Sequence, residues 1–395
     1  MLLGGTHDEE NEHKRAQAVR RYLNGEKPES ICVSLGCSRA WLYKWIARFT
    51  EDNDAWNKSR SKSPLHVSCY TAKEIEEIVK LIRLDLYNKG QFCGAQAIYW
   101  ELEDLAVRPL PSLRTINRIL SRNSLTHRRT GKYETKGTKY PKLPYLCPNQ
   151  THQADWVGPC YLKGAFRFYS LNVVDLATAR CGVHPSRSYN GQSVLDGFWE
   201  IWKRLGIPLN LQIDNALSFF GSRKHPRGMG PLIRLCLHHG VEPWFIPLSE
   251  PWRNGIVEKF NDHYQDRFLN KIHMTTEAEL IAGSFDFEHR HNSTYRYSKL
   301  KGKTPVKTLA ASKTKLRFPK HVQAPRHPLE KPKKGRYHVV RFIRSDLRLN
   351  IFGELFTMPS DLMYEYVVAT IDVKEQKLKL YLDNVQVDEF YYKLQ

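Results

Sequence analysis

A chain of 395 residues is long enough for about two or three domains, each with its own core, and 41% hydrophobic with 12% aromatic residues excludes a wholly disordered chain. No apolar run approaches the ~18 residues of a membrane span, and the opening MLLGGTHDEENEHKR has no signal-peptide core, so a soluble, cytoplasmic protein without a membrane partner is expected. A net charge of +20 with a pI near 9.5 points to a polyanion, foremost nucleic acid, against the alternatives of an anionic membrane surface or a merely solubilised exterior.

In chain order, residues 14–49 read as short helices. Ala16, Val19 and Leu23 make one apolar stripe, Ile31 and Leu35 sit one turn apart, and GCS then breaks the pattern. Ser38 is a candidate N-cap for RAWLYKWIARF, whose Leu42, Trp45, Ile46 and Phe49 follow helical spacing. Arg39, Tyr43, Lys44 and Arg48 fall on the open face. A short helix, a Gly-containing turn and a second helix with exposed basic residues is the pattern that enters a DNA major groove; the plainer alternative is a helical hairpin with a solvated basic face. This module is placed at 1–58.

A second helical module is expected at 67–125. Thr71 to Glu74 has capping-box spacing, followed by Ile75, Ile78, Val79 and Ile82. Ile98, Leu102 and Leu105 mark the next helix, and Leu113, Ile116, Ile119 and Leu120 the one after, which exposes Arg114, Thr115, Asn117 and Arg118. It reads as another helix-turn-helix or a winged helix, with Arg114, Asn117 and Arg118 as DNA contacts. From Arg122 to Leu146 seven Lys/Arg face one acid without hydrophobic periodicity, a basic linker (126–148) able to track phosphates, with Arg128 and Arg129 its paired cations.

Region 149–312 changes to α/β logic: strands in HQADWVG, FRFYSLNVVD and ARCGVHPS, a helix with Val194, Phe198, Ile201, Trp202 and Leu205 on one face, the strand LNLQID, the helix PLIRLCLHHG, the strand EPWFIP and the helix from GIVEKF. A second basic linker spans 313–336, with nine Lys/Arg against one acid. From 337 to 395, short alternating runs punctuated by turns read as a small all-β barrel. The eight cysteines form no CxxC pair, so a zinc site or a disulfide framework is not expected and most should be small buried apolar groups.

Three carboxylates stand out. Asp155 lies in the first strand of the α/β region, Asp214 ends the fourth, and Glu258 lies just inside the helix after the fifth. If the first and fourth strands are neighbours, both aspartates meet at one sheet edge, and a helix packed beside them presents Glu258 to the same point. Its apolar stripe of Ile256, Val257, Phe260, Tyr264 and Phe268 would face the core. Carboxylates so gathered raise one another's pKa unless cations neutralise them. Hard oxygen donors suit Mg²⁺ or Mn²⁺, and two such ions serve in-line phosphoryl displacement. Asp175 reads instead as local support for a strand end, and His289 and His291 as solvent-facing histidines.

The stretches THQADWVG, LQIDNALSFFG, GVEPWFIPLSEPWRNGIVEKFND and HNSTYRYSKLKGKTPVKTL resemble the DDE transposase and retroviral integrase superfamily, in particular insertion-sequence transposases with an integrase catalytic core. The resemblance implies a multidomain chain: helix-turn-helix modules, a central RNase H-like domain with a mixed five-stranded sheet, and a C-terminal SH3-like barrel. It implies Asp155, Asp214 and Glu258 as the metal-binding catalytic triad with two Mg²⁺, Mn²⁺ substituting. It places Asn215, Trp252, Arg253, Asn254 and Lys259 near the active site or DNA. It further implies Mg²⁺-dependent strand cleavage and 3′-OH strand transfer, double-stranded DNA (element ends and target) as partner, a homodimer or higher homo-oligomer on DNA, and association with the nucleoid; an accessory ATPase stays open. The insertion SRKHPRGMGPL departs from the compact retroviral spacing and is either a basic loop toward DNA or a tolerated insertion. The rival functions are a catalytically inactive, transposase-derived DNA-binding regulator and a simple RNase H-like nuclease.

Overall fold

The computed structural model describes residues 5–51, 56–59, 71–126, 140–162, 166–271 and 273–395. The chain divides into two compact units, Met1–Tyr70 and Thr71–Gln395. Arg128 and Arg129 lie outside the described residues.

In the first unit, helices α1 (Gly5–Leu23), α2 (Pro28–Leu35) and α3 (Arg39–Glu51) close over Ala18, Ile31, Cys32 and Leu42. Gly36 ends α2 at φ +57°, a left-handed conformation that glycine adopts without Cβ strain. Two residues on, Ser38 Oγ accepts the Trp41 N–H at 3.1 Å and opens α3. The stripe expected on α1 is shifted: Ala18 and Val19 are buried, whereas Leu23 is exposed.

The second unit begins with α4 (Lys73–Asn88), α5 (Ala95–Asp104) and α6 (Leu113–Arg122), packed on Ile75, Val79, Ile98, Leu102, Ile116 and Leu120. Thr71 does not cap α4, whose N-cap position is Ala72; Leu105 and Leu113, expected inside, are exposed. Ser112 caps α6 by accepting the Thr115 N–H at 3.2 Å.

Strands β1 (Thr151–Tyr161), β2 (Arg167–Asp175) and β3 (Cys181–Ser186) are antiparallel, and β4 (Asn210–Ile213) and β5 (Glu242–Phe245) run parallel to β1. Between them come α7 (Gly191–Leu205), α8 (Leu217–Phe220) and α9 (Pro231–His238); after β5 come α10 (Gly255–Tyr264), α11 (Glu277–Thr294) and α12 (Pro305–Ala310). Strand side chains alternate between faces. Leu171 and Val173 of β2 accordingly join Phe198, Trp202 and Phe245 in one core, while Phe168 and Val174 join Val257, Phe260, Tyr264 and Phe287 in another. Helices therefore cover both sides.

The sheet does not end at β5. Strands β6 (Arg336–Phe342), β9 (Tyr366–Asp372), β10 (Lys377–Leu382) and β11 (Val385–Tyr391) continue it in the order β11-β10-β9-β6-β5-β4-β1-β2-β3, while β7 (Arg348–Ile351) and β8 (Glu354–Thr357) form a separate hairpin. The expected five-stranded sheet is thus nine-stranded, and the segment expected as a separate barrel is continuous with it. The cause is the parallel pairing of Trp244 with His338 and Phe245 with Val339, reinforced by stacking of the Trp244 and His338 rings 3.9 Å apart. Tyr337 through Arg341 are all buried, the pattern of a central strand covered on both faces. Tyr337, Val339, Ile371 and Leu380 share one core with Phe198 and Leu211.

Candidate active site

Gln153 of β1 pairs with Gln212 of β4 in parallel register, so two residues further on Asp155, midway along β1, and Asp214, just past the end of β4, follow on the same sheet face. The two glutamines below them fasten α10. Gln153 and Gln212 Nε2 donate to the Arg253 carbonyl, at 3.4 and 2.7 Å. Gln153 Oε1 accepts the N–H groups of Ile256 and Val257 at 3.2 and 3.1 Å. Those N–H groups belong to the first turn of α10, where an intrahelical acceptor is lacking, and Asn254, the residue before the helix, offers no side-chain cap. A strand residue thereby caps the helix, and Glu258 in that first turn lies on the aspartates' side, near enough for its charge to act on Asp155.

Asp155 is held on both oxygens: Oδ1 accepts the Trp156 N–H and Oδ2 the Asn261 amide, each at 2.8 Å. Asn261 Oδ1 accepts from Asn172 Nδ2 at 2.8 Å, and Asn172 Oδ1 from Ser170 Oγ at 2.9 Å. Asp214 Oδ1 accepts the Ala216 N–H at 3.0 Å. Burial pushes the Asp155 carboxyl up to about 7, with Asp214 and then Glu258 adding repulsion against its two hydrogen bonds. Asp214 is raised by burial, and Glu258 by burial and then by the charges of Asp262 and Asp214. Each carboxylate is costly to ionise where it stands, and a cation among them would relieve that. Among the described residues, however, no three His, Cys, Asp or Glu side chains come together closely enough to enclose a metal ion.

The stripe expected on α10 needs one correction. Ile256 is exposed, and Asn261 joins Val257, Phe260 and Tyr264 on the buried face. Sequence reasoning missed Asn261 and Asn172; the one signal was a polar residue a single helical turn after Glu258.

The other expected site residues part company. Asn254 is buried and donates to the Ala154 carbonyl at 3.0 Å. Arg253 bonds Glu250 and the Tyr366 hydroxyl, each at 2.8 Å, and stacks 4.0 Å from the Tyr140 ring centroid. Asn215 donates to the Ile246 carbonyl at 2.7 Å and accepts from buried Arg341 at 2.8 Å. Arg253 and Asn215 thus tie the start of α10 and the end of β4 to the C-terminal strands, whereas Asn254 ties the start of α10 to β1. Trp252 and Lys259 remain exposed, Lys259 lying 3.3 Å from Asp262.

Arg114, Asn117 and Arg118 are exposed on α6, as are Arg39, Tyr43 and Lys44 on α3. Arg39 pairs with Glu29, and half-buried Arg48 stacks 4.7 Å over Trp45. Buried Asp175 accepts the N–H groups of Asn149, Ala177 and Thr178, a strand-end support. His291, expected in solvent, is buried between Cys181 and the Tyr297 hydroxyl, 3.1 and 2.6 Å away. Four of the described cysteines are buried, and no helix among the described residues is long and apolar enough to cross a membrane.

Residues 10–55 match a family model described as a homeodomain-like domain. Among solved structures, the chain is similar to the HTLV-2 integrase catalytic core domain in complex with magnesium, at 17% identity over 42% of this chain and 99% of that one, with a TM-score of 0.34. It is similar to the catalytic core domain of BIV integrase at 16% identity, 41% and 94% coverage and a TM-score of 0.32. It is also similar to a chain of the simian T-cell lymphotropic virus intasome in complex with PP2A regulatory subunit B56 gamma, at 14% identity, 80% and 97% coverage and a TM-score of 0.36.

Proposed function

We propose that this chain cuts and joins DNA strands in the manner of the DDE transposase and retroviral integrase superfamily, with Asp155, Asp214 and Glu258 as its metal-binding carboxylates. The observation that carries this reading is the parallel register that sets Asp155 and Asp214 on one sheet face, with the helix bearing Glu258 fastened to those same strands through Gln153 and Gln212. The donor set is all hard oxygen, which fits Mg²⁺ with Mn²⁺ as substitute. A bound pair of such ions supplies activation of the attacking oxygen and neutralisation of the leaving oxygen in an in-line displacement at phosphorus.

The chain's own groups do the positioning. Asn261 and the Trp156 N–H preset the Asp155 carboxylate, so it loses little freedom when charge gathers beside it. Exposed Lys259 and the α3 and α6 cations hold DNA phosphates. With water attacking, a phosphodiester P–O3′ bond breaks and frees a 3′-OH. With that 3′-OH attacking a phosphodiester of a second strand, a new P–O3′ bond forms, the target's own P–O3′ bond breaks, and its O3′ departs as a 3′-OH. In this reading 1–58 and 67–125 read element ends, 149–312 carries the chemistry, and a homo-oligomer pairs two ends.

The test uses labelled duplex DNA carrying the sequences that flank the gene, incubated with Mg²⁺ and either wild-type protein or Glu258→Gln. The expected outcome is cleavage and joining that fall by at least about a hundredfold in the variant, the scale of losing one preorganised charge contact in such a site. Specific DNA binding with no cleavage by wild type in Mg²⁺ or Mn²⁺ would identify a binding regulator instead. Cleavage undiminished in Glu258→Gln would sink the triad.

A further inference from the structure

A cleft of about 700 Å³ separates α4, α5 and α6 from the turn at Gln265–Leu269 and the loop at Arg296–Lys299, a volume typical of ligand clefts. Its walls are held apart by built contacts. The Tyr295 hydroxyl donates to the Gly90 carbonyl, Arg296 pairs with Asp104 at 2.6 Å, and Gly302, at φ +78°, lies so close to the Trp100 ring that a Cβ there would approach to 2.7 Å. The cleft is therefore a fixed part of the fold.

Its chemistry is one-sided. Among the described residues Arg83, Arg267, Arg296 and Lys299 line it, with no Asp or Glu. Arg296 is neutralised by Asp104, but among the described residues neither Arg83 nor Arg267 is paired with an acid; the terminal nitrogens of Arg83 donate to Cys93 Sγ and, at 3.2 Å, to the Leu125 carbonyl, and its buried Nε has no hydrogen-bond partner. Both lie over half-exposed Tyr87, 5.9 and 5.8 Å from its ring centroid, with the Lys271 ammonium at 4.6 Å. Phe92, Trp100 and Tyr297 add aromatic wall, and Asn117, from the exposed face of α6, opens onto the same space. Unpaired cations call for an anion, aromatic walls for a flat apolar partner, and amide groups for hydrogen-bonding edges. A nucleotide has all three. A duplex backbone runs along an outer surface, whereas a concave aromatic cleft suits a base that has left its stack.

We propose that this cleft binds an unpaired nucleotide of a DNA strand, its base against Tyr87 and its phosphate on Arg83, Arg267 and Lys271, with α6 delivering the strand. The assignment extends the DNA-processing reading but is tested without cleavage. The full chain is titrated in EDTA into a fluorescein-labelled short oligothymidylate and, separately, into a duplex of equal length. Wild type, Tyr87→Ala, Tyr87→Phe and Arg267→Ala are compared, each first shown to melt as wild type does. Tyr87→Ala should weaken single-strand binding by about tenfold, the effect of losing one stacked base, and leave duplex binding within about twofold. Tyr87→Phe should bind the single strand as wild type does, and Arg267→Ala should weaken it. Equal losses for both DNA forms in Tyr87→Ala would reduce the cleft to a plain phosphate patch and overturn the proposal, as would a wild-type chain with no affinity for the single strand. Competition by thymidine monophosphate at the oligonucleotide's own concentration would make the ligand a free nucleotide and overturn the strand assignment. Because EDTA removes the divalent cation, absence of cleavage under any condition leaves these outcomes untouched.

Discussion

Asp155 shows how a single residue can work against stability. Its folded-state pKa is raised to about 7 by burial and by Asp214, so the folded chain holds that proton more tightly than the unfolded chain. Below the ordinary carboxylate range both states are protonated and Asp155 is neutral in its effect. As pH rises toward 7 the unfolded chain ionises first and folding loses stability, a loss complete above about 7 and amounting to at most about 4 kcal/mol. Asp155→Asn removes the charge while keeping an oxygen for the Trp156 N–H. The new amide nitrogen meets the Asn261 amide donor, a loss independent of pH, so in EDTA the variant's melting temperature should rise relative to wild type's as pH goes from 4 through 7 to 8. A gap of the same size at both ends of that range would mean that the side chain's shape, not its charge, sets the difference.

At the scale of one element, α10 depends on a residue about a hundred positions upstream. Gln153 supplies both the acceptor for two first-turn N–H groups and a donor to the Arg253 carbonyl. Gln153→Ala leaves those buried groups unpaired, at a cost of roughly 1–3 kcal/mol. The expected result is a lower urea midpoint together with slower strand cleavage in Mg²⁺, since Glu258 rides on the loosened turn. A variant with wild-type midpoint and rate would show that Gln212 alone secures the helix. The helix itself was legible in its apolar spacing. Its true buried face was not, because Asn261 earns its place through Asp155 and Asn172, partners far away in the chain.

For the whole molecule, the decisive event is the pairing of β5 with β6. It adds β6, β9, β10 and β11 to the central sheet and brings Arg341 to Asn215 and Tyr366 to Arg253. Deleting residues 335–395 should thus do more than remove an appendage. It exposes the β5 edge and the core shared by Phe245, Tyr337 and Ile371, a surface prone to aggregation. The truncated chain should lose the cooperative melting transition of the sheet domain. Retention of that transition would mean that the C-terminal strands form an independent barrel.

By itself the sequence determined the order of strands and helices from β1 to α10, the two short helical modules with the Ser38 cap and their exposed basic residues, and the three carboxylates, because these follow from local periodicity, turn chemistry and charge. Tertiary structure alone decided how far the sheet extends and which polar groups brace the carboxylates. It also decided that an acid-free aromatic cleft opens beside α6. Each of these depends on pairing segments tens to hundreds of residues apart, and an apolar strand carries the same alternation whether it closes a barrel or joins the edge of another sheet.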